Sequence, residues 1–137
     1  MNRKELALKK HKDGYCCAAA VLCAFGDLTG LDEKTALNLS EGFGGGIGGM
    51  HSVCGAVTGM LMAADLILGK ADPEDPKATK QQSYVRTKLL AMQFVDKNSS
   101  MICAELLGGN GRPKLRSCDG CIEDAVEILE NFIGDNK

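Results

Sequence analysis

The chain has 137 residues, of which 45% are apolar, 25% are charged and only 4% are aromatic. Its 16 basic and 18 acidic residues give a net charge of -2, which argues against a nucleic-acid-binding domain, because such domains carry a basic surface. The charged N-terminus has no secretory signal, and the longest apolar stretch, 56–68, is interrupted by Asp65 and is too short to span a bilayer. We therefore expect one domain, 1–137, that is cytoplasmic and has no membrane or nucleic-acid partner.

The hydrophobic pattern predicts an all-α bundle of about five helices. A basic segment, 1–13, with little helical character precedes a stretch that is apolar on every side and predicts a buried helix over 15–25. A second helix is expected over 31–41, with acidic residues in its first turn. The run 42–49 contains six glycines and predicts a loop between helices two and three.

The second half of the chain predicts three more helices and one short helical turn. The third helix is expected to be capped by Ser52 and to stop at Gly69. The fourth is expected to begin at Pro76, after Asp75, or near Lys80, and to run to about residue 96. A short helical turn over 101–107 and a last helix opened by Ser117 complete the bundle. The residues expected to be buried on the fourth helix are Val85, Leu89 and Met92.

Seven cysteines are the unusual feature of this composition. A reducing compartment disfavours structural disulfides, so the cysteines fill the core or carry redox or metal chemistry. Cys23 lies inside a predicted helix and is assigned to the core. The other six are near predicted helix starts, where the helix dipole and unpaired N–H groups favour a thiolate; they are Cys16, Cys17, Cys54, Cys103, Cys118 and Cys121.

An up-and-down bundle would bring four of these thiols together. With short loops, helices one, three and five start at the same end, and helix four finishes there. The glycine-rich loop would lie beside that end. The four cysteines expected to meet are Cys17, Cys54, Cys103 and Cys118.

Several motifs follow one another along the chain, and together they resemble a known family. They are Cys17-Ala18, the glycine run 42–48, Cys54-Gly55-Ala56-Val57-Thr58-Gly59, Cys103-Ala104-Glu105-Leu106-Leu107-Gly108, and Cys118 ahead of Ile122-Glu123-Asp124-Ala125. From about residue 15 to 133 the chain resembles the redox-active C_GCAxxG_C_C proteins, which are similar to the C-terminal domain of split-Soret cytochrome c. The resemblance implies a redox role with four signature cysteines, and the related cytochrome domain implies an iron–sulfur cluster. Cys16, Cys23 and Cys121 are additional to the signature.

The preferred hypothesis is therefore one site that holds an iron–sulfur cluster or another metal, in electron transfer or redox sensing. Its expected ligands are Cys17, Cys54, Cys103 and Cys118, and Cys121 is an accessory thiol. Glycine lets the backbone approach a cluster or ligand closely, and the glycines expected to do so are Gly44, Gly45, Gly46 and Gly55. His51 is either a further ligand or proton donor or a plain loop residue, and His11 is expected in solvent.

Two other functions stay open on the sequence alone. A metal-free thiol–disulfide protein would cycle Cys17 with Cys54, or Cys118 with Cys121, although the acidic residues near the latter pair would raise its thiol pKa values. A binding module would instead use the glycine-rich loop for a small ligand or partner.

Two cofactors are not expected. The pattern Gly44-x-Gly46-x-x-Gly49 follows a helix rather than a strand, so no nucleotide is expected. No histidine follows Cys121, so no haem is expected. The sequence leaves open whether the chain is an oxidoreductase or an electron carrier, which redox partner it has, and whether it forms a homodimer.

Overall fold

The computed structural model describes residues 1–135 and confirms the all-α fold, with no β-strand among these residues. Residues 136 and 137 of the predicted domain lie outside the described part. No helix in the described part is long and apolar enough to cross a membrane. The elements are α1 Arg3–Lys12, α2 Cys17–Ala24, α3 Gly26–Thr29, α4 Glu33–Ser40, the 3-10 turn η1 Glu41–Phe43, α5 Gly55–Leu68, α6 Lys80–Asn98, α7 Cys103–Leu107 and α8 Cys118–Asp135.

Helix α2 forms the centre of the bundle. Every residue after Cys17 is buried, and the helix packs against α1, α4, α5 and α8. Three consecutive alanines, 18–20, keep its surface small, so neighbouring helices pack close to its backbone. An aromatic-poor sequence thus builds its core from close helix contacts around a few large side chains, among them Leu22, Phe25 and Met60.

The contact between α2 and α5 depends on Gly59. A Cβ at this position would lie closer than 3.0 Å to the carbonyl oxygen of Ala18 on α2. A carbonyl group fixed in a helix cannot move aside as a flexible side chain would. Gly59 therefore sets the distance between the two helices whose first residues include Cys17 and Gly55.

Gly59→Ala is expected to lower the free energy of unfolding by about 1–3 kcal/mol, because the added methyl overpacks the α2–α5 contact. The matched control is Gly134→Ala on α8, where an added Cβ meets nothing within 4 Å. That control is expected to be neutral or to stabilise by up to about 1 kcal/mol, through helix propensity. Urea unfolding followed by circular dichroism measures both; equal effects of the two substitutions would contradict the assigned contact.

Two helices were not expected. The segment 1–13 was predicted to have little helical character, but 3–12 form α1, whose Ala7 is fully buried against the core. The Asn2 side chain accepts a hydrogen bond from the Glu5 N–H at 2.8 Å and caps this helix. The first predicted helix also starts later and ends earlier than expected, since Phe25 closes α2 and a short α3 follows directly.

Helix α6 begins at the later of its two predicted starts, but the prediction of its buried face is wrong. Val85, Leu89 and Met92 are 59%, 51% and 49% exposed, while Leu90 and Phe94 are fully buried. The helix carries two apolar stripes, and the one with the phenylalanine faces the core. Burying an aromatic ring removes more apolar area from water than burying valine or methionine, so Phe94 decides the rotation of the helix.

Candidate functional site

A cavity of about 220 Å³ lies where four helices begin. Its lining includes residues at or next to the first turns of α2, α5, α7 and α8. All cysteines except Cys23 line it, so the structure brings together the four predicted ligands together with Cys16 and Cys121. The other lining residues are His11, Gly45, His51, Gly55, Leu106 and Leu107.

Two extended segments hold Cys54 beside Cys103. The Cys54 N–H donates to the Met101 carbonyl oxygen at 2.8 Å, and the Cys103 N–H donates to the Ser52 carbonyl oxygen at 2.6 Å. Val53 pairs with Ile102 in an antiparallel bridge between these two segments. The expectation that Ser52 caps the third helix is therefore wrong: Ser52 belongs to this pairing, and Cys54 takes the N-cap position.

The start of α2 contributes two thiols with different surroundings. Cys16 occupies the N-cap position, and its thiol donates to the carbonyl oxygens of Ser40 and Glu41 at 3.8 and 3.6 Å. Cys17 follows as the first helical residue, and its sulfur accepts a hydrogen bond from the Gly45 N–H. The glycine-rich loop thus touches the site directly through its backbone.

Each of the four predicted glycines contacts or makes room for a cysteine. A Cβ at Gly44 would lie 2.5 Å from the Cys16 Cβ, and a Cβ at Gly55 would lie 2.5 Å from the Cys17 Sγ. A Cβ at Gly46 would lie 2.7 Å from the Cys103 Cβ. Gly45 instead supplies its N–H. Gly45 and Gly55 line the cavity, whereas Gly44 and Gly46 are not part of its lining.

Cys54 and Cys121 shift each other's pKa in opposite directions. The Cys121 thiol donates a hydrogen bond to the Cys54 sulfur and, with the N–H groups of Val57 and Ala56, lowers the pKa of Cys54 to about 7 although burial opposes this. The same hydrogen bond, together with burial, raises the pKa of Cys121. When the pair loses its first proton, the negative charge is therefore favoured on Cys54 and the remaining proton on Cys121.

Burial overrides the helix N-terminus at two other cysteines. It raises the pKa of Cys17, against the lowering effect of the Gly45 N–H, and it raises the pKa of Cys103 as well. The expectation that each helix start favours a thiolate is wrong for these two residues. A helix terminus stabilises charge by a modest amount, which the loss of water around a buried sulfur exceeds.

The cysteine sulfurs are distributed around the cavity and do not converge on a single point. Among residues 1–135, no three His, Cys, Asp or Glu side chains are grouped so that they could hold a metal ion. A single tetrahedral ion needs its thiolates about 2.3 Å away. The arrangement therefore lacks the convergence that a mononuclear zinc site requires.

The first turn of α8 is fixed by an ion pair between a partly exposed arginine and a buried aspartate, which the sequence did not reveal. Arg116 donates to the Asp124 carboxylate, with Nε 3.0 Å from Oδ2. Its guanidinium lies against Gly120, where any Cβ would collide with it. The Ser117 hydroxyl oxygen accepts from the Gly120 N–H at 3.0 Å, as expected for the residue that opens this helix. These contacts position Cys121, which lies within the same turn.

Three lining residues were missed at the sequence level. Leu106 and Leu107 supply the apolar part of the wall, and no motif marks leucines for such a role. His11 was expected in solvent, but it is half-buried and lines the cavity. Its Nδ1 lies 2.8 Å from the Tyr15 carbonyl oxygen, to which it donates a hydrogen bond.

An all-α bundle whose helix starts enclose a cysteine-lined cavity defines this chain as a small thiol protein. Residues 15–132 match the family described as "Putative redox-active protein (C_GCAxxG_C_C)", and the chain belongs to that family. A protein of Archaeoglobus fulgidus, described as "Uncharacterized protein", is 28% identical over 130 residues, which cover 84% of this chain and 86% of its own length. No solved structure matches the chain.

The structure gives the Cys-Gly-Ala-x-x-Gly motif a physical meaning. Cys54 caps α5, Gly55 leaves room for the Cys17 sulfur, and Gly59 one turn later lets α5 approach the α2 backbone. A spacing of four residues places both glycines on the same face of the helix. The motif thus packs α5 onto α2 and brings two cysteines together in one step.

Proposed function

We propose that the cysteine-lined cavity is a redox centre that holds an iron–sulfur cluster and serves in electron transfer or redox sensing in the cytoplasm. One observation carries the proposal: four thiols from four separate helix starts line one cavity. Four cysteine thiolates are the common ligand set of two-iron and four-iron clusters. The residues that would hold the cluster are Cys17, Cys54, Cys103 and Cys118.

The donor set and its surroundings fit such a group. Ligands of a cluster bind different irons, so their sulfurs surround a volume, in keeping with thiols spread around a cavity. Gly46 and Gly55 keep free the space that a Cβ would fill beside Cys103 and Cys17. The Gly45 N–H donates to the Cys17 sulfur, the kind of contact that tunes cluster potentials.

The cluster, when bound, supplies one-electron transfer. The protein buries the Cys54 and Cys103 side of the site and leaves Cys118 exposed. A redox partner would therefore exchange electrons through the Cys118 side, where the path to the surface is shortest. The leucines of the wall exclude water from the other side.

Anaerobic purification is expected to give a coloured protein that contains iron and acid-labile sulfide. Cys17→Ala is expected to lower the iron content by at least about tenfold, since even the loss of an outer hydrogen-bond partner costs about 10–100-fold in metal affinity. Cys23→Ala is the matched control, because Cys23 is buried away from the cavity and its loss should leave the iron content unchanged. A colourless, iron-free wild-type protein, or equal iron in both variants, would overturn the proposal.

A further inference from the structure

A second cleft, separate from the cysteine-lined cavity, lies between the end of α5, the first half of α6 and the last turns of α8. Its volume is about 560 Å³, which is within the range of small-molecule sites. None of its lining residues belongs to the cysteine-lined cavity. We name it the α6 cleft, and its apolar wall is formed by Leu68, Val85, Leu89 and Phe132.

The apolar wall of the α6 cleft is open to water. Val85 and Leu89 are 59% and 51% exposed, although the sequence pattern predicts both to be buried. Single exposed apolar residues are common on protein surfaces, but these two lie one turn apart and face the same cleft as a leucine and a phenylalanine from other helices. A continuous exposed apolar patch is typical of a binding site, because a bound apolar group removes it from water.

The polar wall carries two cations and, among the residues that the structure describes, no carboxylate. Arg86 is partly neutralised by Asp65, whose Oδ1 lies 2.8 Å from the arginine Nη2. Lys70 forms no ion pair within residues 1–135. The cleft is therefore short of one negative charge, which favours a singly charged anion over a doubly charged phosphate.

Arg86 also has an unused hydrogen-bond donor. Its Nη2 donates to Asp65 and to the Ser83 hydroxyl oxygen, but its Nε is buried and has no hydrogen-bond partner. A buried N–H without an acceptor costs stability, and an oxygen from a ligand would remove that cost. A carboxylate has two acceptor oxygens, enough for the Arg86 Nε and the Lys70 ammonium at once. Gln81 and Gln82 add amide groups to the same wall.

We propose that the α6 cleft binds a small amphipathic carboxylate, with the carboxylate at Arg86 and Lys70 and the apolar part against the apolar wall. Aliphatic and arylalkyl carboxylic acids are the chemical class that combines these two parts. Such a ligand would join the end of α5 to α6 and α8, so its binding should stabilise the fold. The proposal does not rest on the cluster, because the two sites share no residue.

Calorimetric titration of the full-length protein with decanoate, below its micelle concentration, tests the proposal. Decanoate should bind and should raise the midpoint of thermal unfolding. Decan-1-ol has the same chain without the charge, and acetate has the charge without the chain. Each should bind at least about tenfold more weakly than decanoate.

Two pairs of variants test the two parts of the cleft separately. Lys70→Gln should weaken decanoate binding about tenfold, whereas Lys77→Gln, at an exposed lysine outside the wall, should leave it unchanged. Leu89→Ala should weaken binding by about three- to tenfold. Met92→Ala should not, because Met92 is similarly exposed three residues further along α6 but does not line the cleft. All four side chains are exposed, so the variants should fold.

The absence of both a binding heat and a thermal shift with decanoate would overturn the proposal. Equal affinities for decanoate and decan-1-ol, or equal effects within either pair of variants, would overturn it as well. Sedimentation of the ligand-free protein supplies the last arm of the test. A concentration-dependent dimer that Leu89→Ala abolishes would assign the cleft to a second copy of the chain instead, whereas a monomer leaves the cleft free for the carboxylate.

Discussion

Asp124→Ala is expected to lower the free energy of unfolding by about 2–4 kcal/mol, through the loss of charge-assisted hydrogen bonds in a buried position. The Asp124 side chain is only 3% exposed and accepts from Arg116 at 3.0 Å and from Lys97 at 3.1 Å. It thereby joins α6, the segment before α8 and α8 itself. Both cations are partly exposed, so each regains water when the carboxylate is removed, and the loss stays below that of a fully buried pair.

Glu127→Gln is the matched control for this prediction. Glu127 lies one turn further along α8 and pairs with the same Lys97 at 3.6 Å, but its side chain is 42% exposed. Exposed ion pairs contribute about 0–1 kcal/mol, so the control should lose no more than that. Chemical unfolding at neutral pH measures both variants, and comparable losses would refute a special role for the buried carboxylate.

The contribution of Asp124 is expected to depend on pH. Burial raises its pKa, but the hydrogen bonds from Arg116, Lys97 and Asn98 outweigh burial, and the net pKa lies below the ordinary value. A carboxyl with a lowered folded-state pKa contributes its full stability above the unfolded-state pKa of about 3.9 and loses it as the pH falls through the folded-state pKa. The stability difference between wild type and Asp124→Asn should therefore shrink from about pH 5 towards pH 2. A difference that stays constant over this range would contradict the assigned ion pairs.

Helix existence could be predicted well from local sequence, but helix rotation could not. The apolar stretch of α2, the glycine-rich loop and the Ser117 start of α8 are local patterns, and the structure follows them. The buried face of α6 depends on which of two stripes meets the core, which is decided by Phe94 and its neighbours on other helices. For the same reason α1 was missed, since its stability comes from packing against α2 and α8 rather than from its own residues.

The candidate site likewise has features that local sequence predicts and features that depend on contacts between distant segments. Placing six cysteines near helix starts needs only helix boundaries, and the expectation that four of them meet needs only short loops and an up-and-down order. The effect of Cys121 on the pKa of Cys54, and the pairing that sets Cys54 beside Cys103, depend on segments far apart in the chain. No local pattern encodes such contacts, and the buried environment that reverses the expected pKa shift of Cys17 arises only from them.

Gly46→Ala should lower the free energy of unfolding by an amount comparable to Asp124→Ala, and it should also disturb the cysteine site. Gly46 has a φ of +71°, which disfavours alanine by about 1–2 kcal/mol. A Cβ there would also lie 2.7 Å from the Cys103 Cβ, the His51 Cα and the Ser52 nitrogen, and such overpacking costs about 1–3 kcal/mol more. The expected total loss of unfolding free energy is about 2–5 kcal/mol.

Gly49→Ala separates the cost of the positive φ from the cost of overpacking. Gly49 has a φ of +76°, but an added Cβ there meets nothing within 4 Å. The substitution should lower the free energy of unfolding only by the backbone cost of about 1–2 kcal/mol. The site supplies a second measurement, since Gly46→Ala pushes on the segment that pairs with Cys103. Native-state alkylation of the buried Cys103 should then become faster by about tenfold or more in Gly46→Ala, as local opening becomes easier, and should change little in Gly49→Ala. Equal alkylation rates in the two variants would mean that the loop does not support the cysteine site, and that Gly46 serves only the backbone conformation of the loop.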